Sequence, residues 1–489
     1  MKAVFSSSEI APFASTGGLG EVSRSLPAAL RRLGVDLWRV MPLYRQVAEG
    51  GHRIADTGLR LKIPIGFRMH TAEVWNHPED ETPTYFIRRD EYFDRRELYA
   101  LPDRDYTDNF ERFVFFQKAV VALIDALGFA PDIVHGNDWT SGLIPLYLRH
   151  GIGGVGRTGR EAAVFTVHNL AYQGIYPGGE FAMTNLPFSC FSIEGVEFFG
   201  NLNCMKAGLT SSAMTTTVSR SYAEEIRTPA GGCGLDGVLQ SLGGRLVGIQ
   251  NGVDDQIWNP GHDRLIKVAF DADHPEGKSA CKAALLARSG FSHAMDVPLV
   301  GMISRLVDQK GLDLLAEAMP ALMAMPLKIV LLGSGQEKYQ VLCAEWARRW
   351  PDRFSATLGF DHKLAHRIES GADLFLMPSR SEPCGLSQLY ALRYGTIPIV
   401  HATGGLKDTV REAGEGGLTG NGFRFESYTT PALLDAVQRA LAMYAKPEAW
   451  TALRKRGMLE DHSWSKSAGE YLRLYEQVAS GARPVDKPR

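Results

Sequence analysis

Two cations stand close together in Ser304-Arg305-Leu306-Val307-Asp308-Gln309-Lys310-Gly311, just past the apolar run Leu299–Ile303. An arginine fork and a lysine point charge at that spacing can both meet a diphosphate. A solvated loop with a surface ion pair would use the same residues, so the segment alone does not choose. The stretch Pro378-Ser379-Arg380-Ser381-Glu382-Pro383-Cys384-Gly385-Leu386-Ser387 follows a second apolar run, Ala372–Met377. Pro383 and Gly385 shape a turn there, and a helix is expected from about Leu386, with its N-terminus open to phosphate. A carboxylate beside phosphate would be repelled, so Glu382 is expected to accept hydrogen bonds from sugar hydroxyls.

In the first half, Pro131-Asp132-Ile133-Val134-His135-Gly136-Asn137-Asp138-Trp139 and Thr166-Val167-His168-Asn169-Leu170 each read as a strand that ends in a polar cluster. Either histidine can be a satisfied core residue, yet both fall at the carboxyl ends of strands, where α/β sheets bind ligands. Ser15-Thr16-Gly17-Gly18-Leu19-Gly20-Glu21 and Ala402-Thr403-Gly404-Gly405-Leu406-Lys407-Asp408 echo one another. Paired glycines at such turns serve either close helix–sheet packing or a ligand. Gly333-Ser334-Gly335-Gln336-Glu337-Lys338 also follows an apolar run, but Lys338 stands where a dinucleotide fingerprint needs its third glycine, which disfavours a nicotinamide enzyme.

These residues need a scaffold of strands and crossover helices. Short apolar runs alternate with amphipathic stretches: Met1–Phe5, Glu21–Arg32 and Asp36–Met41 early, then Leu299–Ile303, Lys328–Leu332, Ala372–Met377 and Ile397–Val400 late. That rhythm predicts two parallel sheets. Asn251–His262, rich in Asn, Asp, Gly and Pro, has linker composition and follows Leu246–Ile249. The chain has 489 residues, 45% of them apolar and 22% charged, enough for two large α/β domains. A formal charge of −2 offers no field for nucleic acid or an anionic membrane, and no run approaches a membrane span or signal peptide. The six cysteines are scattered without metal-ligand spacing, so reduced thiols and a cytoplasmic protein are expected.

Taken together, the motifs resemble the bacterial glycogen synthases and plant starch synthases. The likeness runs through Ser8-Glu9-Ile10-Ala11-Pro12, Thr16-Gly17-Gly18-Leu19, Asn137-Asp138-Trp139, His168-Asn169-Leu170, Lys206-Ala207-Gly208-Leu209, Gly234-Leu235-Asp236-Gly237, Asn251-Gly252-Val253-Asp254, Ser304-Arg305-Leu306, Glu382-Pro383-Cys384-Gly385-Leu386 and Thr403-Gly404-Gly405-Leu406. The resemblance implies an α/β protein of the GT-B class, with two Rossmann-like doubly wound domains facing a central cleft. It implies domains at 1–255 and 256–460, and a tail, 461–489, whose helix Trp464–Val478 crosses back to the first domain.

It further implies a retaining glucosyltransferase that extends α-1,4-glucan from ADP-glucose or UDP-glucose, with ADP-glucose favoured. Arg305 and Lys310 would stabilise the leaving diphosphate, Glu382 would hold the donor glucose, and His168 and Asp138 would line the sugar and acceptor side. Donor contacts would come from Ser15, Gly17, Gly18, Asn251, Phe360, Cys384, Gly385, Leu386, Thr403 and Gly404, with Phe360 stacked on the nucleobase. Arg305, Lys310 and helix dipoles would supply the charge that the phosphate site needs, so no metal or other cofactor is expected. The sequence departs from the family where Ser15 replaces a lysine and Glu21 an aspartate. That loss of a cation keeps open a second reading, a catalytically silent glucan-binding relative.

Overall fold

The computed structural model describes residues 1–101, 104–151, 162–292 and 294–481. The chain forms two compact units, Met1–Asn251 joined by the segment from Trp464 on, and Gly252–Ser463. The crossings lie four residues before the expected 255/256 and three after the expected 460/461. The second unit keeps both connectors because Val253 N–H donates to His462 O at 2.7 Å, and Val253 and Ser463 form a bridge. Residues 482–489 of the expected tail lie outside the described residues.

The first unit holds a nine-stranded sheet. Its strands run edge to edge as Leu246–Gly248, Met214–Thr217, Ala162–Val167, Ile133–Asn137, Lys2–Ser6, Asp36–Pro42, Thr84–Arg88, Arg68–Asn76 and Ala55–Ile65. The first seven pair in parallel, and the last two add antiparallel. Strands buried on both faces need continuous apolar sequence, which is why Met1–Phe5 was readable in advance. Chain order reverses between Lys2–Ser6 and Ile133–Asn137, so the crevice beyond their carboxyl ends is the position where such sheets take ligands.

On one face the helix Gly18–Arg32 buries Val22, Leu26, Ala29 and Leu30, a stripe at helical spacing, and ends where Gly34 turns to φ +91°. The C-terminal helix Trp464–Ala479 joins the same core cluster through Trp464, Ala468, Tyr471 and Tyr475. Burying a large apolar side chain is worth roughly 1.5–3 kcal/mol, so Trp464, Tyr471 and Tyr475 tie the helix to the core of the first unit. Tyr475 OH meets His135 Nδ1 at 2.6 Å, and Thr166 Oγ1 meets His135 Nε2 at 2.6 Å. His135 is therefore a satisfied core residue, with burial pushing its imidazole down to about 3.

The second unit holds six parallel strands in the order Phe354–Leu358, Lys328–Gly333, Leu299–Ile303, Leu374–Met377, Ile397–His401 and Phe423–Phe425. The order reverses between Leu299–Ile303 and Leu374–Met377. The loops leaving these two strands are the ones that carry Arg305, Lys310 and Glu382.

Candidate active site

At the reversal point of the second sheet the two loops are fastened together. The first leaves Leu299–Ile303, makes a short turn over Asp308–Lys310, and enters the helix Leu312–Leu322 through Gly311 at φ +76°. A Cβ at Gly311 would stand 1.9 Å from Pro378 O, so glycine lets this loop lie against the second one. Arg380 N–H donates to Gln309 O at 2.9 Å across the same junction. Lys310 Nζ then reaches both carboxylate oxygens of Glu382, at 2.8 and 2.6 Å, while Ser379 Oγ donates to Glu382 Oε2 at 3.0 Å. Glu382 is 6% exposed, so three hydrogen bonds hold a nearly buried carboxylate in one position. Arg305, on the same loop as Lys310, is exposed.

The turn Thr403–Leu406 packs beneath this loop. Gly405 N–H donates to Glu382 O at 3.1 Å. A Cβ at Gly404, φ +46°, would stand 2.1 Å from Glu382 O, and one at Gly405 would stand 2.2 Å from Cys384 O. Gly385 itself sits at φ +71° ahead of the helix Ser387–Arg393. Thus Glu382, Cys384, Gly385, Leu386, Thr403 and Gly404 share one neighbourhood with Lys310. Phe360 stands apart, 88% exposed, between the strand Phe354–Leu358 and the helix His362–Gly371.

In the first unit a second group gathers at the corresponding strand ends. Asp138 follows Ile133–Asn137 with φ 53° and ψ −177°, a conformation costly for any residue but glycine. Its carboxylate accepts His168 N–H at 2.7 Å and a further backbone bond from Asn169. Burial nevertheless pushes the Asp138 carboxyl up to about 7. Asn137 donates its Nδ2 to Ser6 O at 2.9 Å, which leaves Asn137 Oδ1 to accept from His168 Nε2 at 2.9 Å. Burial drives His168 down to about 3, so it is neutral, with Nε2 protonated and Nδ1 carrying a lone pair.

Glu9, 4% exposed, pins the loop ahead of the helix Gly18–Arg32. It accepts Thr16 N–H at 2.5 Å, Thr16 Oγ1 at 2.8 Å and Tyr99 OH at 2.7 Å. Ser15 and Gly17 are exposed, and Ser15 Oγ donates back to Gly17 O at 3.0 Å. Glu21 is engaged by Arg24 at 2.5 Å. Asn251 is the last residue of the first unit, buried, and its side-chain oxygen meets no hydrogen-bond donor among the described residues. The expected donor set is therefore divided between units, with Ser15, Gly17, Gly18 and Asn251 in the first and the remainder in the second.

Sequence reasoning gave no role to Ser379, Asn137 or Glu9. The signal for Glu9 was present: a lone acid in the otherwise uncharged stretch Ala3–Gly20, just past the first strand.

Two family models match the chain, the starch synthase catalytic domain over residues 2–241 and glycosyl transferases group 1 over residues 287–456. The glycogen synthase of Anaeromyxobacter dehalogenans strain 2CP-1 is 45% identical over 98% of this chain and 100% of its own length. Glycogen synthase 2 of Geobacter sulfurreducens is 43% identical over 99% and 100%. The chain belongs to the glycogen and starch synthase family. It is a glycosyltransferase of the GT-B fold, in keeping with the catalytic domain of starch synthase IV from Arabidopsis thaliana, which superposes with a TM-score of 0.89 at 31% identity, covering 98% of this chain and 99% of that one. That structure holds ADP and acarbose. A sucrose-phosphate synthase from Thermosynechococcus elongatus shares the fold at a TM-score of 0.62 and 18% identity, covering 98% of this chain and 100% of its own.

Proposed function

We propose that this family member transfers glucose from a nucleotide sugar, ADP-glucose in the first place, to the non-reducing end of an α-1,4-glucan with retention of configuration. The observation that carries the reading is the Lys310–Glu382 couple at the sheet reversal, with Arg305 on the same loop. The naming of the bacterial relatives and the ADP and acarbose of the Arabidopsis structure support the substrate class.

Breaking the bond from C1 to the diphosphate builds positive charge on the sugar and negative charge on the leaving group. Arg305 and Lys310 are assigned to the diphosphate, where preorganised cations lower the barrier most. Glu382 is assigned to a sugar hydroxyl, which orients C1. Retention without a protein nucleophile follows if the acceptor hydroxyl attacks from the leaving-group face and the departing phosphate takes its proton. Asp138 and His168 are assigned to the sugar and acceptor side. The reading implies a cytoplasmic enzyme. Among the described residues no helix is long and apolar enough to cross a membrane.

We place no metal in the step, since the two cations supply the charge a divalent ion would bring. Turnover is expected to persist in EDTA, and complete loss rescued by added metal would overturn this assignment. The test of the whole reading is nucleoside diphosphate release on mixing the protein, glycogen and either ADP-glucose or UDP-glucose. Faster release from ADP-glucose is expected. Binding of glycogen with no release from either donor would favour the silent glucan-binding relative instead, the reading that Ser15 motivates.

A further inference from the structure

The helix His362–Gly371 begins two residues after Phe360 and is capped by Asp361, whose carboxylate accepts Leu364 N–H at 2.9 Å. Two histidines four apart on a helix lie one above the other on the same face. Here His362 Nε2 and His366 Nε2 are 3.4 Å apart. Two imidazole nitrogens bound to one tetrahedral ion at about 2.0–2.1 Å are themselves about 3.3 Å apart, so the pair already has the spacing of a chelate.

The inner ring is fixed as a ligating histidine would be. His366 is 1% exposed, and its Nδ1 lies 2.7 Å from Asp263 Oδ2. Asp263 is itself held, accepting Tyr394 OH at 2.6 Å and Leu265 N–H at 2.8 Å. A carboxylate on Nδ1 keeps the proton there and leaves Nε2 with its lone pair facing His362, the arrangement that orients imidazoles on metals. Trp258 stacks flat on the His366 ring, with centroids 3.9 Å apart at an interplanar angle of 7°, so the ring cannot swing. His362 is exposed.

We infer that His362 and His366 form a surface chelate for an imidazole-preferring transition ion, Zn²⁺, Ni²⁺ or Cu²⁺, with water completing the coordination. Mg²⁺ and Ca²⁺ prefer oxygen ligands and are excluded by the donor set. Among the described residues no group of three His, Cys, Asp or Glu side chains is gathered for a metal, so the site is weaker than a structural zinc site and exchanges with solution. The proposed glucosyl transfer uses neither histidine.

The test uses the full-length chain without a histidine tag. Calorimetric titration with NiCl₂ or ZnCl₂ is expected to give one equivalent bound, with none for MgCl₂, and Cu²⁺ electron paramagnetic resonance is expected to show two coordinated imidazole nitrogens. His362→Ala is the informative variant, because His366 is buried and its loss can compromise folding. It is expected to weaken binding at least about tenfold while leaving the metal-free melting temperature and the turnover in EDTA unchanged. Equal affinity in His362→Ala would place the metal at another histidine and overturn the inference. So would no binding at about 1 mM metal, since a preformed pair of this geometry must exceed that affinity.

Discussion

Lys310 cannot serve a diphosphate while it is fully committed to Glu382, so the two roles compete, and Glu382→Gln exposes the competition. The ion pair is mostly shielded, with side chains 17% and 8% exposed and a closest approach of 2.6 Å. With charge centres about 4 Å apart and an effective dielectric near 20, the attraction is about 4 kcal/mol before desolvation and ordering are subtracted. Hydrogen bonds to charged groups contribute a net ~1.5–3 kcal/mol, and a phosphate that recruits Lys310 must replace part of that. Glutamine keeps the shape and the Ser379 contact but removes the charge, so Lys310 is released toward the phosphate. Nucleoside diphosphate is then expected to bind about three- to tenfold more tightly, the equivalent of about 0.7–1.4 kcal/mol.

Turnover of the same variant is expected to fall by at least about a hundredfold, because the sugar loses the charged acceptor that orients C1. Calorimetric titration with ADP reads the first quantity, and ADP release in the presence of glycogen reads the second. Weaker ADP binding with turnover preserved would show that Glu382 serves the nucleotide, by holding Lys310 in place, rather than the sugar, and would refute the assignment. Unchanged ADP affinity with lost turnover would keep the sugar role but remove the competition.

Arg305→Ala or Lys310→Ala is expected to slow turnover by at least about a hundredfold, each removing a preorganised cation from the leaving group; near-normal turnover in both would contradict the site. The Asp138 carboxyl, pushed up to about 7 by burial, holds its proton over the interval from its ordinary 3.8 to about 7, where the unfolded chain has lost it. The stability from neutral Asp138 is thus full below the unfolded value and is lost as pH rises through about 7. A limb in kcat/KM with a midpoint near 7 is expected to vanish in Asp138→Asn, whereas His168, driven down to about 3, contributes none in that range; survival of the limb would assign it elsewhere. Because Arg24 already engages Glu21 at 2.5 Å, a lysine introduced as Ser15→Lys keeps its charge for the donor. The expected fall in donor KM is about fivefold, or about 1 kcal/mol, and no change in either Ser15→Lys or the double variant with Glu21→Asp would separate this loop from the donor.

The elements were legible where a single physical demand shapes them. Leu299–Ile303 and Lys328–Gly333 are parallel strands with almost every residue buried, and such strands read as unbroken apolar runs. The antiparallel pair Ala55–Ile65 and Arg68–Asn76 shows no such run, because at the sheet margin half its side chains face out and polar residues alternate with apolar ones. Individual side chains were legible only up to direction. His135 and His168 looked equivalent, both near strand ends, yet His135 lies within the ladder and is sealed by Tyr475 and Thr166, while His168 is one residue past the strand Ala162–Val167. The partnership of Lys310 with Glu382, 72 positions apart, leaves no mark in sequence spacing at all.

The echoed Thr-Gly-Gly-Leu turns divide the two explanations that one sequence could not separate. At Gly404 and Gly405 the backbone of the Glu382–Cys384 loop leaves no room for a Cβ, so packing alone demands glycine there. At Gly17 the backbone is extended, with φ −179°, and apart from its own chain neighbours no described atom lies within 4 Å of where a Cβ would stand. Neither strain nor packing within the unit calls for glycine at that position. The loop is nonetheless held, because Glu9 fixes Thr16 through two hydrogen bonds and a Cβ at Gly20 would strike the Ser15 side chain. An exposed, bare backbone on a loop that is anchored from behind has the form of a surface kept clear for something to approach. At the second copy packing against the Glu382 loop accounts for the glycines, and at the first it does not, so Ser15→Lys is the variant that tests the donor contact proposed for this loop.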